Sequence, residues 1–191
     1  LSFRRATATV VAALAALVAV AAMLAGGAGA STTWQIGDVF AGVAGGKYNV
    51  YDNSGAFKET INSGQGSFTT GCSFNPALDK LYTTDFGTGK ITVYNDASPH
   101  GIAQTVSTGQ TPESIVFAAN GHFFVGGPNN GTVGEHDAAG VLVDTDTVAS
   151  DGTGGPDWID LAADQTTLFY TSEGRNVQRY DVGTDTQLAN F

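Results

Sequence analysis

Four similar segments of about 43 residues follow one another along this chain. Tyr51, Tyr94, His136 and Tyr180 are separated by 43, 42 and 44 residues, and each is followed by Asp or Asn. A second series, formed by Phe74, Phe117 and Leu161, has spacings of 43 and 44 residues. Repeats of this length indicate supersecondary units that cannot bury their apolar faces alone and must pack against neighbouring copies.

Each of the last three segments contains four short runs of β-favouring residues that are separated by turn residues. In the best-defined segment, the run around Phe74 is followed by runs at 81–84, 91–94 and 102–106. The next segments repeat this pattern at 114–118, 122–125, 132–136 and 141–148, and then at 158–162, 167–171, 176–180 and 186–190. Four antiparallel strands per repeat predict an all-β fold, a β-propeller of four-stranded antiparallel blades.

The repeats predict a partial blade at 31–62 and full blades at 63–107, 108–149 and 150–191. The partial blade has no sequence for an inner strand, so about four blades are present with one strand missing. We interpret the chain as the N-terminal fragment of a six- or seven-bladed ring. The alternative is a closed ring of four blades, in which residues 32–37 supply the missing strand.

Residues 1–30 have the three parts of a secretory signal peptide. Arg4 and Arg5 precede an apolar run at 10–24, and Ala28-Gly29-Ala30 provides a small-residue cleavage site. The alternative is a membrane anchor, since the uncharged stretch at 6–33 is long enough to span a bilayer. The first interpretation predicts a secreted, extracellular protein, by either the general or the twin-arginine export route.

The charge of the chain excludes one large class of partner. The formal net charge is −10, and cleavage removes two of the eight basic residues, which leaves six against 18 acidic residues. Nucleic-acid binding requires a basic face, and an acidic protein is repelled by anionic membranes. We therefore expect no nucleic-acid partner and no stable membrane association after cleavage.

Several polar residues have structural explanations. Asp52, Asn95, Asp137 and Asp181 end the third strand of each unit, where Asx side chains stabilise turns. His136 occupies the Tyr position of the repeat and is predicted to pack in the core, and His122 is predicted to lie on a rim. Cys72 is the only cysteine, which excludes an intramolecular disulfide and favours a buried packing role.

Residues 80–85, 89–95 and 108–115 resemble the YVTN-type propeller repeats, which are relatives of the NHL repeat. The last unit matches this pattern less closely, and the third departs from it at Gly134-Glu135-His136-Asp137. The resemblance implies a fold that hosts binding proteins, scaffolds, and a few antibiotic-lyase-like and lactonase-like enzymes. It also implies that ligands bind at the face built by the loops between second and third strands and by the connections between blades.

These loops contain the candidate ligand-binding residues Asp85, Phe86, Glu113, Asn129, Asn130, Asp157, Trp158, Glu173 and Arg175. We predict a binding or interaction module for a protein, peptide, glycan or small ligand, with no catalytic residues and no cofactor. One alternative is an extracellular lyase-like or lactonase-like enzyme with a divalent cation such as Ca²⁺ in the channel, and another is a structural surface module. Trp158 fits either ligand binding or packing between blades.

Overall fold

The computed structural model describes residues 32–191, so the signal peptide predicted at 1–30 lies outside the described residues. Within the described part, the strands follow chain order in four antiparallel sheets. The first sheet is three-stranded and contains β1 (Val39–Val43), β2 (Lys47–Tyr51) and β3 (Phe57–Asn62). The second contains β4 (Thr69–Phe74), β5 (Lys80–Asp85), β6 (Lys90–Asn95) and β7 (Ile102–Ser107).

The third and fourth sheets repeat the four-stranded arrangement of the second. The third contains β8 (Ser114–Phe117), β9 (Phe123–Gly127), β10 (Thr132–His136) and β11 (Leu142–Thr147). The fourth contains β12 (Ile159–Leu161), β13 (Thr167–Tyr170), β14 (Gln178–Asp181) and β15 (Thr186–Gln187). The only helical element among residues 32–191 is a single 3₁₀ turn, Phe86–Thr88, and no helix there has the length and hydropathy needed to cross a bilayer.

The Asp and Asn residues that were predicted to stabilise turns lie at the end of the third strand of each unit or in the turn that follows it. A carboxylate oxygen of Asp52, Asp137 and Asp181 accepts hydrogen bonds from backbone N–H groups two to four residues later. Asn95 acts differently, because its side-chain amide donates to the carbonyl of Gly101. The recurring Tyr-Asx pair therefore marks a turn and has a structural function.

The apolar core consists of three clusters, and each cluster lies between two successive sheets. The first joins sheets one and two and includes Tyr48, Val50, Ile61, Leu81 and Tyr94. The second joins sheets two and three and includes Tyr82, Ile91, Val93, Val106, Ile115, Phe123 and Val125. The third joins sheets three and four and includes Phe124, Val133, Val148, Ile159, Leu168, Tyr170 and Tyr180.

Strand β9 shows how one strand serves two clusters. Side chains alternate across a sheet, so Phe123 and Val125 pack toward the second sheet while Phe124 packs toward the fourth. Each of these side chains is at most 3% exposed. A sheet that is buried on both faces needs a neighbour on each side, as the repeat predicted.

The innermost strands lie side by side, with β8 in contact with both β4 and β12. Successive four-stranded antiparallel sheets that pack face to face around such strands form a propeller-like, all-β fold, which confirms the predicted fold class. Residues 32–37 form no strand, so the alternative in which they complete the first sheet is wrong.

Candidate functional site

A cleft of about 400 Å³ lies at one end of the sheets. In antiparallel sheets, the loops between second and third strands and the connections between sheets all lie at the same end. The cleft is lined by residues from such loops of the second, third and fourth sheets: Phe86, Glu113, Pro128, Asn129, Thr153, Gly154, Asp157 and Glu173. We call this site the loop cleft, and five of its eight residues belong to the set predicted from the sequence.

Carboxylate groups dominate the chemistry of the loop cleft. A Cβ atom placed on Gly154 would lie 3.4 Å from Oδ1 of Asp157 and 3.7 Å from Oε2 of Glu173. The hydroxyl of Thr153 donates a hydrogen bond to this same oxygen of Glu173. Two carboxylates therefore lie close to Gly154, and Glu113 adds a third to the lining.

The three carboxylates repel one another. Burial raises the pKa of Glu113, and the charges of Asp157 and Glu173 raise it further. Burial also raises the pKa of Asp157, with the charge of Glu173 as the next cause. None of the ion pairs within residues 32–191 includes these three residues. The cleft thus carries negative charge that no basic side chain of the described part neutralises.

Asp151 organises the loop that presents Glu173. Its carboxylate accepts hydrogen bonds from the hydroxyl of Ser172, from the backbone N–H groups of Arg175 and Asn176, and from the side chain of Gln178. Desolvation would raise the pKa of Asp151, but the hydrogen bonds from Ser172, Asn176 and Arg175 outweigh it and hold the pKa below its ordinary value. The sequence offered no sign of this function, because the donors lie 21 to 27 residues away.

The glycine-rich stretch at 152–155 allows the β11–β12 connection to pack closely against the β9–β10 connection. The N–H of Gly155 donates to the carbonyl of Pro128 at 2.6 Å. A Cβ atom on Gly155 would lie 2.7 Å from the Cα of Gly131, a distance that side chains do not adopt. The stretch resembles a phosphate-binding loop only in composition, and its glycines allow the loop to lie directly against the β9–β10 connection.

Four of the predicted residues lie outside the loop cleft. Asn130 lines a neighbouring polar groove with Gln110 and Thr111. Trp158 is 50% exposed and does not line the cleft, and Arg175 is exposed on the β13–β14 connection. Asp85 is the last residue of β5 and is fully buried, so its side chain does not reach a ligand in the cleft.

Asp85 is a buried carboxylate between the first two sheets. It accepts hydrogen bonds from the hydroxyls of Ser63 and Thr92, each at 2.8 Å. Burial nevertheless raises the pKa of Asp85, because two neutral hydroxyls replace only part of the lost hydration. A carboxyl group with a raised folded-state pKa makes folding less favourable as pH rises from the unfolded-state pKa through the folded-state value.

Asp85→Asn is expected to raise the free energy of unfolding relative to the wild type at pH 7, with the difference vanishing below about pH 4. The amide cannot ionise, and only the hydroxyl that faces its NH₂ group has to reverse its hydrogen bond, while the other hydroxyl continues to donate to the amide oxygen. Denaturant unfolding of both proteins at the two pH values measures the difference. Asp52→Asn should have the opposite sign at pH 7, because hydrogen bonds from Ser54 and Ala56 lower the pKa of Asp52. Equal stabilities of wild type and Asp85→Asn at both pH values would contradict the prediction.

A second acidic group lies at the outer edge of the third and fourth sheets. Asp144, Asp146 and Asp185 place one carboxylate oxygen each within 4.8 Å of one another, and they are the only three described residues that do so. Burial, followed by the neighbouring charges, raises the pKa of Asp146 to about 6, although a hydrogen bond with Tyr180 opposes the shift. None of these three residues lines the loop cleft.

The fold and the site together define a propeller-like protein with an acidic cleft formed by its loops. Among solved structures, the chain is similar to hydrazine synthase of Kuenenia stuttgartiensis, with a TM-score of 0.62 and 14% sequence identity. The match covers 76% of this chain and 43% of that chain. The chain therefore spans less than half the length of this structural relative.

The likeness at 14% identity shows the fold alone. In all, 1023 chains of solved structures match, and so widespread an architecture does not specify a reaction or a ligand. No family model and no curated protein matches the sequence. The resemblance to YVTN-type and NHL-type repeats accordingly stays a prediction, and the function has to be argued from the site.

Proposed function

We propose that this chain is a secreted propeller binding module whose loop cleft holds a cationic group of a peptide or small-molecule ligand. The observation that carries the proposal is the set of three carboxylates, Glu113, Asp157 and Glu173, which line one cleft without a basic partner among the described residues. A bound cation would relieve their mutual repulsion, and charge-assisted hydrogen bonds are the strong ones in proteins.

Phe86 gives the cleft a second feature that suits an organic cation. Its ring lines the same cavity as the three carboxylates. Lysine ammonium and arginine guanidinium groups are attracted to aromatic faces, and their aliphatic stems need an apolar surface to cover. A cleft of about 400 Å³ is large enough for one such side chain, which makes a lysine or arginine side chain of a peptide the ligand of choice.

The alternative is an extracellular enzyme, lyase-like or lactonase-like, that uses a divalent cation in the channel. A metal ion needs several oxygen atoms within a small sphere. Within residues 32–191, the three acidic residues close enough to meet this requirement are Asp144, Asp146 and Asp185, and none of them lines the loop cleft. The wider separation of the cleft carboxylates favours the larger organic cation.

The test is calorimetric titration of the 191-residue chain with a blocked lysine amide and with a blocked arginine amide. Both are expected to bind, while the ε-acetylated lysine amide should not bind, because it has the same stem without the charge. Glu113→Gln, Asp157→Asn and Glu173→Gln should each weaken binding about tenfold or more, since a hydrogen bond to a charged group is worth about 1.5 kcal/mol. Asp160→Asn, an exposed acid on β12 that does not line the cleft, is the matched control and should leave the affinity unchanged.

The pH dependence of binding provides a second arm of this test. The carboxylate form binds the cation, so affinity should fall as pH is lowered through the raised pKa values of Glu113 and Asp157. Equal binding of the charged and acetylated amides would contradict the proposal. Ca²⁺-dependent thermal stabilisation that is lost in Asp157→Ala and Glu173→Ala, without any binding of the amides, would contradict the proposal and would favour the metal site that the enzyme-like alternative requires.

A further inference from the structure

The first and fourth sheets each have one face that no other sheet of the described chain covers. Within residues 32–191, the apolar clusters join sheets one and two, two and three, and three and four. No cluster of this part of the chain joins the fourth sheet to the first. The two uncovered faces therefore lie at opposite ends of the array, and each lacks the neighbour that the inner sheets have on both sides.

The uncovered face of the first sheet is marked by Val39, which is paired across β1 and β2 with Tyr51, the residue at the Tyr position of the repeat. The equivalent pairs in the other three sheets are Leu81 with Tyr94, Phe123 with His136, and Leu168 with Tyr180. All six of these residues are at most 5% exposed, whereas Val39 is 54% exposed. Val39 thus occupies a core position of the repeat that no described sheet covers.

The uncovered face of the fourth sheet carries Phe169 at an equivalent core position. Phe169 has the place on β13 that Tyr82 has on β5 and Phe124 has on β9, one residue after the paired residue described above. Tyr82 and Phe124 are at most 4% exposed, and each packs toward the next sheet. Phe169 is only partly buried, and its ring contacts that of Phe191, which is itself 84% exposed.

The residues equivalent to Val39 and Phe169 are in contact inside the molecule. Phe123 has the position of Val39 and Tyr82 has that of Phe169, and their ring centroids lie 5.3 Å apart between the second and third sheets. A fourth sheet that packs on a first sheet in the same way brings Phe169 against Val39. Because the first and fourth sheets of one chain share no cluster in the described part, a second copy can supply this contact.

We propose that the uncovered faces bind a second copy of this chain, with the fourth sheet of each copy packed against the first sheet of the other. The two contacts are related by a two-fold axis, and together they use both uncovered faces of both copies. Four sheets from each copy then form a closed ring of eight. This number is within the roughly four to eight blades of typical propellers.

The charges on the two faces suit such a contact, although the chain as a whole is acidic. In the register of the fourth sheet, Phe169 lies between Asp160 and Arg179, whose opposite charges leave this face without a net charge. Lys47 lies on the uncovered face of the first sheet, and the residues of β1 and β2 on that face include no acid. Like-charge repulsion between the faces, which would oppose association, is therefore absent from the contact.

The test is the molar mass of the 191-residue chain, measured by sedimentation velocity over a range of concentrations. The proposal predicts a species with twice the 19.5 kDa mass of one chain. Val39→Lys and Phe169→Glu are each expected to convert this species to monomers, because each substitution places a charge in both contacts of the ring. Circular dichroism of each monomer checks that it remains folded.

An equimolar mixture of Val39→Lys and Phe169→Glu should recover the dimer. One contact of the mixed ring has two natural faces, and the other sets the introduced lysine opposite the introduced glutamate. Val143→Lys is the matched control, because Val143 is 50% exposed on β11 of the third sheet and lies on neither uncovered face. This variant should remain dimeric.

A chain that is monomeric at every concentration would overturn the proposal, and so would a dimer that survives both substitutions. Dissociation by Val39→Lys alone would overturn it as well, since the first-sheet faces would then pack on each other. If further sheets of a longer chain cover both faces instead, the 191-residue chain is expected to stay monomeric or to form a continuous series of larger species. Either result would exclude the closed ring of two copies.

Discussion

Phe123→Ala is expected to lower the free energy of unfolding by about 3–5 kcal/mol. Phe123 is completely buried on β9. Its ring is stacked on His136 at 5.0 Å and contacts Tyr82 of the second sheet at 5.3 Å. The substitution would leave a cavity between two rigid sheets, which cannot close over it without breaking strand pairing. Chemical denaturation followed by far-ultraviolet circular dichroism measures the loss.

Phe57→Ala is the matched control, because Phe57 is 58% exposed and its one ring contact is with Tyr51. It should cost less than about 1 kcal/mol, which is usual for surface positions. If the two variants lost stability equally, the second and third sheets would not share a buried core. A single cooperative transition in Phe123→Ala would further show that the sheets unfold together.

Gly126→Ala is expected to destabilise the protein by about 1–3 kcal/mol, although it adds only one methyl group. Its Cβ would lie 2.5 Å from the carbonyl oxygen of Pro156 and 2.7 Å from Oγ of Ser114. The first of these atoms belongs to the backbone of the connection to the fourth sheet, so relief requires the third and fourth sheets to separate. The thermal midpoint and the denaturant midpoint both measure the effect.

Gly101→Ala tests whether the stability loss in Gly126→Ala comes from the close contacts of the added Cβ or from replacing any glycine by alanine. A Cβ on Gly101 meets no atom within 4 Å, and its backbone is outside the left-handed region. This variant should be neutral or slightly stabilising, because alanine reduces the entropy of the unfolded chain. Destabilisation of similar size in both variants would remove the argument that Gly126 sets the distance between sheets.

The repeat predicted the sheets well because the relevant information is local. The runs expected at 91–94 and 102–106 correspond to β6 and β7, which extend them by one or two residues. Alternating apolar residues and turn-forming residues determine such strands with little help from the rest of the chain. The predicted core position of His136 is confirmed for the same reason, since it occupies the position of a buried Tyr and is fully buried.

The loop positions predicted most of the lining of the cleft, but they did not predict where every side chain points. Phe86 lines the cleft, whereas its neighbour Asp85 is the last residue of a strand and points between two sheets. Asp157 lines the cleft, whereas Trp158 does not. Side chains of adjacent residues point in different directions from the backbone. The path of a loop also depends on contacts with residues far away in the sequence, such as those that Asp151 makes with the β13–β14 connection.

The contacts of residues 32–37 were beyond prediction for a related reason. The contact between the carbonyl oxygen of Thr32 and Nε2 of His100 joins residues 68 positions apart. The sequence shows neither the stacking of His100 on Trp34 nor the carboxylate of Glu59 that Thr32 and Trp34 share. Such a network depends on how two sheets meet at their ends, and the repeat period contains no information about that.

The three clusters between sheets differ in their polar chemistry, and this affects how such a chain can evolve. The first contains a carboxylate with two hydroxyl donors, Ser63 and Thr92. The second is built around stacked rings, and in the third the hydroxyl of Tyr170 donates to the carbonyl of Ala149 at 2.8 Å and lies 3.0 Å from Oε1 of Gln187. A duplicated or transposed blade would pack each of its two faces against a sheet that is not its present neighbour. The hydrogen-bond donors and acceptors of the two surfaces would then not match. An inserted blade is therefore tolerated only if the sheet faces on both sides of it also change their polar residues. For this reason the blades keep a fixed order along the chain, although their backbones have the same four-stranded fold.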